Sequence, residues 1–165
     1  MTLIKSFREE LDQEAVTSRK MLSRIPADNL DWRPHRKNWT IRELAMHIAE
    51  IPGWIDSVLN TTQLDFATVN YQPPVVNTPN EIMVCYENTL NQAKNALNDE
   101  AEFKLNDLWT LRTADKIHMS ASKKDMVRHC INQQIHHRAQ LGMYLRLLDV
   151  PIPGSYGPSA DEQAL

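Results

Sequence analysis

The side chains best suited to chemistry lie in the stretch His129-Cys130-Ile131-Asn132-Gln133-Gln134-Ile135-His136-His137-Arg138, which holds three of the chain's six histidines. The spacing predicts a helix here. An apolar stripe runs through Met126, Cys130, position 133, position 137, Leu141, Tyr144 and Leu148, in steps of three and four. Gln133 and His137 fall on that stripe and are expected to point inward. A polar group in a core needs a hydrogen-bond partner or a metal ion, because burying it unpaired costs roughly 1–3 kcal/mol.

Residues four apart are stacked neighbours on a helix, so Gln133 and His137 can converge on one point. His47 has the same inward address on a second helical pattern, among Leu44, Ile51 and Val58. Two groups from one helix and one from another can build a metal site inside a bundle. Three protein ligands would leave a position open for water or substrate. The same spacing also suits a pair of hydrogen-bonded core histidines, and spacing alone leaves both readings open. His129 lies about 12 Å from His137 along the axis, too far to share an ion with it. His136 is rotated about 100° away from His137. His118 falls outside the helical patterns. Cys85 and Cys130 read as small core residues.

The elements that must carry these residues are helices. Ile4, Phe7, Leu11, Ala15, Ser18, Leu22 and Ile25 mark the first, over residues 3–25, and Pro26 stops it. Trp32 and Trp39 lie in the loop that follows and are expected to anchor it on the core, although for these two, Trp54 and Trp109 the sequence leaves core and pocket-lining roles open. Thr40 opens the second helix with Glu43 three residues on, the pattern of a capping box. Pro52-Gly53 is expected to kink it one turn past His47. Residues 60–78, with Pro73-Pro74, read as a long loop. Thr78-Pro79-Asn80-Glu81 is a second capping box, opening a third helix to about residue 99. Residues 101–121 lose the helical period, and a short hairpin or irregular crossover is expected there. Ser122 with Asp125 caps a fourth helix that Pro151 and Pro153 end, and the tail is expected to lie as an extended strap. The expected fold is therefore all-α: one domain over residues 1–165, a four-helix bundle with a short hairpin or irregular crossover before the last helix.

Composition narrows the function classes. Apolar residues make up 42% of the 165, enough for a core and against disorder. The net charge of −3, with scattered Lys and Arg, offers no footprint for nucleic acid. No apolar run approaches the roughly 20 residues of a membrane span. Without a signal-peptide pattern or a disulfide framework, a cytoplasmic location is expected.

Two segments resemble the DinB/YfiT-like superfamily. Trp39-Thr40-Ile41-Arg42-Glu43-Leu44-Ala45-Met46-His47 is similar to its Trp-Ser/Thr-x-x-Glu-x-x-x-His signature. His136-His137-Arg138-Ala139-Gln140-Leu141-Gly142-Met143-Tyr144-Leu145-Arg146 is similar to its His-His-Arg-Gly-Gln-x-x-x-Tyr-Leu-Arg run, and the tail Pro151–Pro158 is also similar. The resemblance implies an up-up-down-down four-helix bundle, often a homodimer, with a divalent metal, commonly nickel or zinc, on three side chains. By position these are His47, Gln133 and His137. The family usually has His at the second place, and the Gln133 amide is a neutral, weaker ligand that favours harder cations. Arg138, Glu43 and Gln140 are candidates to support that shell. Characterised relatives include thiol-dependent transferases and isomerases. The resemblance thus implies a metal-dependent thiol S-transferase or hydrolase acting on a small molecule, with no nucleic-acid or membrane partner. The alternative is a non-catalytic bundle with a degenerate metal site, serving as a small-molecule binding or dimeric interaction module.

Overall fold

The four expected helices form, and each starts where a side chain closes its first turn. The computed structural model describes residues 2–69, 71–72 and 74–162; Pro73 of the Pro73-Pro74 pair lies outside them, as do the two ends of the 1–165 domain. Helix α1 spans Leu3–Leu22, with the Thr2 side chain accepting from the Lys5 N–H. Helix α2 spans Ile41–Asn60 and α3 spans Pro79–Ala96, both opened by full capping boxes, Thr40/Glu43 and Thr78/Glu81. Helix α4 spans Lys123–Leu147, and its cap Ser122 accepts from the Asp125 N–H. In each case the capping oxygen satisfies one of the backbone donors that a helix start leaves orphaned.

Helix α2 continues through Pro52, which lies inside it. The proline removes a backbone donor from that turn. Thr89 of α3 donates to the Ala49 carbonyl in the same turn, at 2.5 Å, which ties the disturbed segment to its neighbour. Helix α2 packs chiefly on α3 and α4, and α1 on α4 and α3. Their shared core includes Phe7, Leu11, Ile48, Ile55, Tyr86, Leu90, Ile131 and Leu145.

The chain is mostly helical but not all-α. Three strands, β1 Gln63–Asp65, β2 Leu108–Thr113 and β3 Lys116–Ser122, form a sheet in the order β1-β2-β3. The hairpin expected before the last helix is the antiparallel β2–β3 pair, with a bulge at Leu111/Arg112. Its turn places Ala114 at φ 47°. Strand β1 lies in the stretch read as loop. It pairs in parallel with β2, Gln63 opposite Thr110 and Asp65 opposite Arg112. A three-residue strand whose partner lies beyond the next helix leaves no local period to detect. Asp65 secures it by accepting from the Ala67 and Ala114 N–H groups, both at 2.9 Å.

The phase of α4 also differs from the expected stripe. Its buried polar residues are Lys123 at its start, 4% exposed, Gln134, 0% exposed, and Arg138, 2% exposed; Gln133 and His137 are half-buried. One position is about 100° of rotation, so the expected pair lies at the edge of the core instead of inside it. Arg138 does not support the histidines. It pairs with the buried Glu14 at 2.6 Å and donates to the Ser18 hydroxyl. Gln134 donates to Ser18 at 2.9 Å and to the Tyr86 hydroxyl at 2.7 Å. The tail folds back rather than lying extended: Asp161 accepts from the Ile152 N–H at 2.9 Å, and the Tyr156 hydroxyl donates to Glu14 at 2.7 Å.

Candidate functional site

The capping box at the start of α2 sets the site's geometry. Thr40 N donates to the Glu43 carboxylate at 2.7 Å and Glu43 N donates back to the Thr40 hydroxyl at 3.2 Å. This fixes Trp39 just outside the helix and His47 two turns along it. Trp39 is 46% exposed, so it is not the core anchor expected from its type. Its ring instead covers two imidazoles, 5.0 Å from the His47 ring and 5.7 Å from the His137 ring, centroid to centroid. Trp32 does pack on the core, edge-on to Tyr144 at 5.9 Å.

His47 from α2 and His137 from α4 meet edge to face, with centroids 4.6 Å apart and planes at 82°. Gln133 completes the group: its Oε1 lies 2.9 Å from His137 Nε2. Gln140 lies on the other side of the same ring, with its Oε1 2.9 Å from Nδ1. His47 has ring contacts but no hydrogen-bond partner among the described residues. Burial, with a smaller contribution from the charge of His137, pushes the His47 imidazole down to about 4. Burial also lowers His137, against the pull of Gln140. Both rings are neutral near pH 7.

The fit of a divalent ion turns on lone pairs. A neutral imidazole has one N–H and so can donate to one of the two amide oxygens it faces. With that proton on Nδ1 toward Gln140, the Nε2 lone pair and the Gln133 oxygen are two acceptors face to face. Two ligands on one first-row ion, each at about 2.0–2.1 Å, sit about 3 Å apart, near the separation seen here. A histidine ligand whose second nitrogen donates to an oxygen is the usual supporting arrangement. His137 Nε2 and Gln133 Oε1 thus lie at a spacing that two ligands of one divalent ion could take, with the His47 ring beside them as the third candidate. This is a modest donor set: among the described residues no three His, Cys, Asp or Glu side chains converge.

The other candidates fall elsewhere. His136 is exposed, 4.9 Å from the His137 ring. His118 is on β3 and meets the Thr113 hydroxyl at 2.9 Å. His129 lines a cavity of about 210 Å³ with Cys130, Gln133 and His47. Cys130 is buried as expected, and burial pushes its thiol up to about 12. Cys85 is only half-buried, and its thiol is raised by burial and then by the charge of Glu50. Neither is a ready thiolate, so thiol chemistry here would need a thiol from outside.

His47 also borders two larger spaces. One, of about 470 Å³, lies between α2 and the 74–77 segment; the other, of about 350 Å³, lies between α2 and the turn after β1. Of the residues that shape them, spacing pointed to Trp54, as a core or pocket-lining aromatic, but not to Glu50, Phe66 or Tyr71. The available signal was that Glu50 and Trp54 follow His47 by three and seven residues, on the same helical face.

Comparison with known proteins agrees with this architecture. The family model described as DinB family matches residues 2–164. The protein YrdA of Bacillus subtilis (strain 168) is 26% identical over 162 residues, 96% of this chain and 90% of that protein. The solved structure of a DinB-like protein from Bacillus cereus ATCC 10987 superposes with a TM-score of 0.72 at 23% identity, covering 92% of this chain and 97% of that one. A DinB-like protein of Bacillus subtilis, YjoA, gives a TM-score of 0.68 at 12% identity, covering 97% and 99%.

Proposed function

From the premise that this chain belongs to the DinB family, we propose that it is a divalent-metal-dependent enzyme, of the thiol S-transferase or hydrolase type, acting on a small molecule in the cleft around His47. His47, His137 and Gln133 hold the ion, with nickel or zinc the best candidates. When bound, the ion acts as a Lewis acid that lowers the pKa of a coordinated thiol or water. The chain's own residues do the rest. Gln140 accepts the His137 Nδ1 proton and so keeps Nε2 open toward Gln133. Trp39 shields both rings from water and favours their neutral, ligating form. The cavities beside His47 give a substrate room next to the cluster.

The observation that supports this reading best is the 2.9 Å approach of His137 Nε2 and the Gln133 amide oxygen, beside a second neutral imidazole. Its test uses untagged protein stripped of metal and titrated with Ni(II) or Zn(II), followed by calorimetry and thermal melting. Saturable uptake of one equivalent with a raised Tm, lost in a His47→Ala/His137→Ala double variant, supports it. Uptake below about a tenth of an equivalent with no change in Tm counts against it.

One observation favours a second reading. Gln133 is uncharged, and no third His, Cys, Asp or Glu joins the two histidines among the described residues. In that reading the cluster is a degenerate metal site, kept as a polar patch in a non-catalytic small-molecule binding or dimeric module. Ion-independent ligand binding in the cleft would favour it.

A further inference from the structure

Glu50 is a half-buried carboxylate one turn beyond His47, and it borders both larger cavities. The Tyr71 hydroxyl donates to its Oε1. Among the described residues no Lys or Arg pairs with it. Arg42, on the wall of the neighbouring cavity, is committed to Asp31 at 3.0 Å and to the Val76 carbonyl. The negative charge of Glu50 is felt nearby, where it helps raise both Cys85 and Tyr71. In the 350 Å³ cavity this carboxylate faces aromatic rings. Trp54 and Phe66 stand 6.4 Å apart at 56°, two walls of an angle rather than a stacked pair, and Tyr71 lines the same space.

Aromatic faces attract a cation that comes within about 6 Å of their centroids, and the attraction grows as water is excluded. A carboxylate without a countercharge supplies the remaining pull and disfavours anions. An ordinary apolar pocket needs no acid, and a site for a carboxylate or phosphate would need a cation where Glu50 stands. We propose that the space framed by Glu50, Trp54, Phe66 and Tyr71 is a recognition site for an alkylammonium group on a small molecule. As the substrate class of the reaction proposed above, this rests on that reading; as a binding site it does not, because none of the four residues belongs to the metal cluster.

The test is binding of choline, against its uncharged isostere 3,3-dimethylbutan-1-ol and against acetate, to the full chain. The Trp54 indole resonance in NMR is the readout, with chelator present. Choline should shift that signal and bind roughly fivefold to tenfold more tightly than the alcohol. Glu50→Gln should reduce that preference severalfold while the melting temperature stays close to that of the parent. If Glu50→Gln does not fold, Trp54→Leu, read on the backbone amide of Gly53, should weaken choline more than the alcohol. Equal binding of choline and the alcohol, tighter binding of acetate, or a preference left undiminished by Glu50→Gln would each overturn the proposal. Choline selectivity in a protein that takes up no metal would sustain this site and remove the metalloenzyme reading. Metal uptake without choline selectivity would do the reverse.

Discussion

Adjacent positions on α4 serve opposite purposes. At Gln134 and Arg138 the polar groups are sealed into the bundle and mostly paired, Arg138 to Glu14 and the Gln134 amide nitrogen to Ser18 and Tyr86, while the Gln134 Oε1 is buried without a hydrogen-bond partner among the described residues. At Gln133 and His137, one residue earlier in each case, they stand half-open beside cavities with a ring nitrogen facing an amide oxygen. A buried network of this kind repays its desolvation chiefly by its own hydrogen bonds. A half-buried cluster gains from a cation when the His137 proton sits on Nδ1 and leaves Nε2 as an acceptor facing Gln133. The contrast separates a structural polar face from a chemical one on the same helix, and it can be attacked from both sides.

The largest effect should come from the sealed face. Arg138→Leu leaves the Glu14 carboxylate buried without its partner, and urea unfolding should show a loss of about 3–5 kcal/mol. The double variant Glu14→Met/Arg138→Leu should recover most of that loss. If the single variant is near neutral, the paired-network account fails. On the open face, Gln133→His should leave folding intact and tighten Ni(II) or Zn(II) binding by about tenfold or more, because imidazole is the stronger donor to these ions. Unchanged calorimetric affinity would show that position 133 does not ligate.

The third effect is a pH dependence. His47 is held down to about 4 by burial and then by His137, and His137 is lowered in the same direction. Between about pH 4 and 6.5 the unfolded chain binds the protons that the folded chain refuses. The stability is therefore complete above about 6.5 and lost as pH falls toward 4. Since His47 is only partly buried, the change from pH 7 to 5 should be on the order of 1 kcal/mol after solvent screening. Urea midpoints in chelator should show a flatter profile for His47→Gln. The smallest expected effect is that of Trp39→Ala. It should change stability by less than about 1 kcal/mol. It should still move the His47 titration back toward 6.5, as followed by NMR. A His47 titration left in place would mean that Trp39 does not desolvate it.

The parts of the fold legible in the sequence are those written in short-range chemistry. Thr40 with Glu43, Thr78 with Glu81, and Ser122 with Asp125 mark helix starts because each closes a hydrogen-bonded loop of four residues. The phase of α4 was harder to read, because polar residues occupy both candidate inner faces. Gln133/His137 and Gln134/Arg138 compete, and only packing against Glu14, Ser18 and Tyr86 decides between them. Residue type drew attention to His47, Gln133 and His137, and the fold brings all three together. Trp39, typed as a core anchor, is instead an exposed cover, a role that depends on where His137 arrives from α4. Glu50 and Phe66 are brought together by the turn after β1, and no local pattern encodes that.

The parallel pairing of β1 with β2 has a consequence for how the molecule breathes. It stitches the linker after α2 to the one before α4, and the Trp109 indole N–H adds a bond to the Thr61 hydroxyl at 2.9 Å. A three-residue edge strand with few buried contacts opens more readily than a long helix packed in the core. The rim of the cleft that carries Leu64 and Phe66 is then a panel hinged on three ladder residues. Amide hydrogen exchange at Phe66, whose N–H donates to the Arg112 carbonyl, should outpace that of the α2 amides facing it.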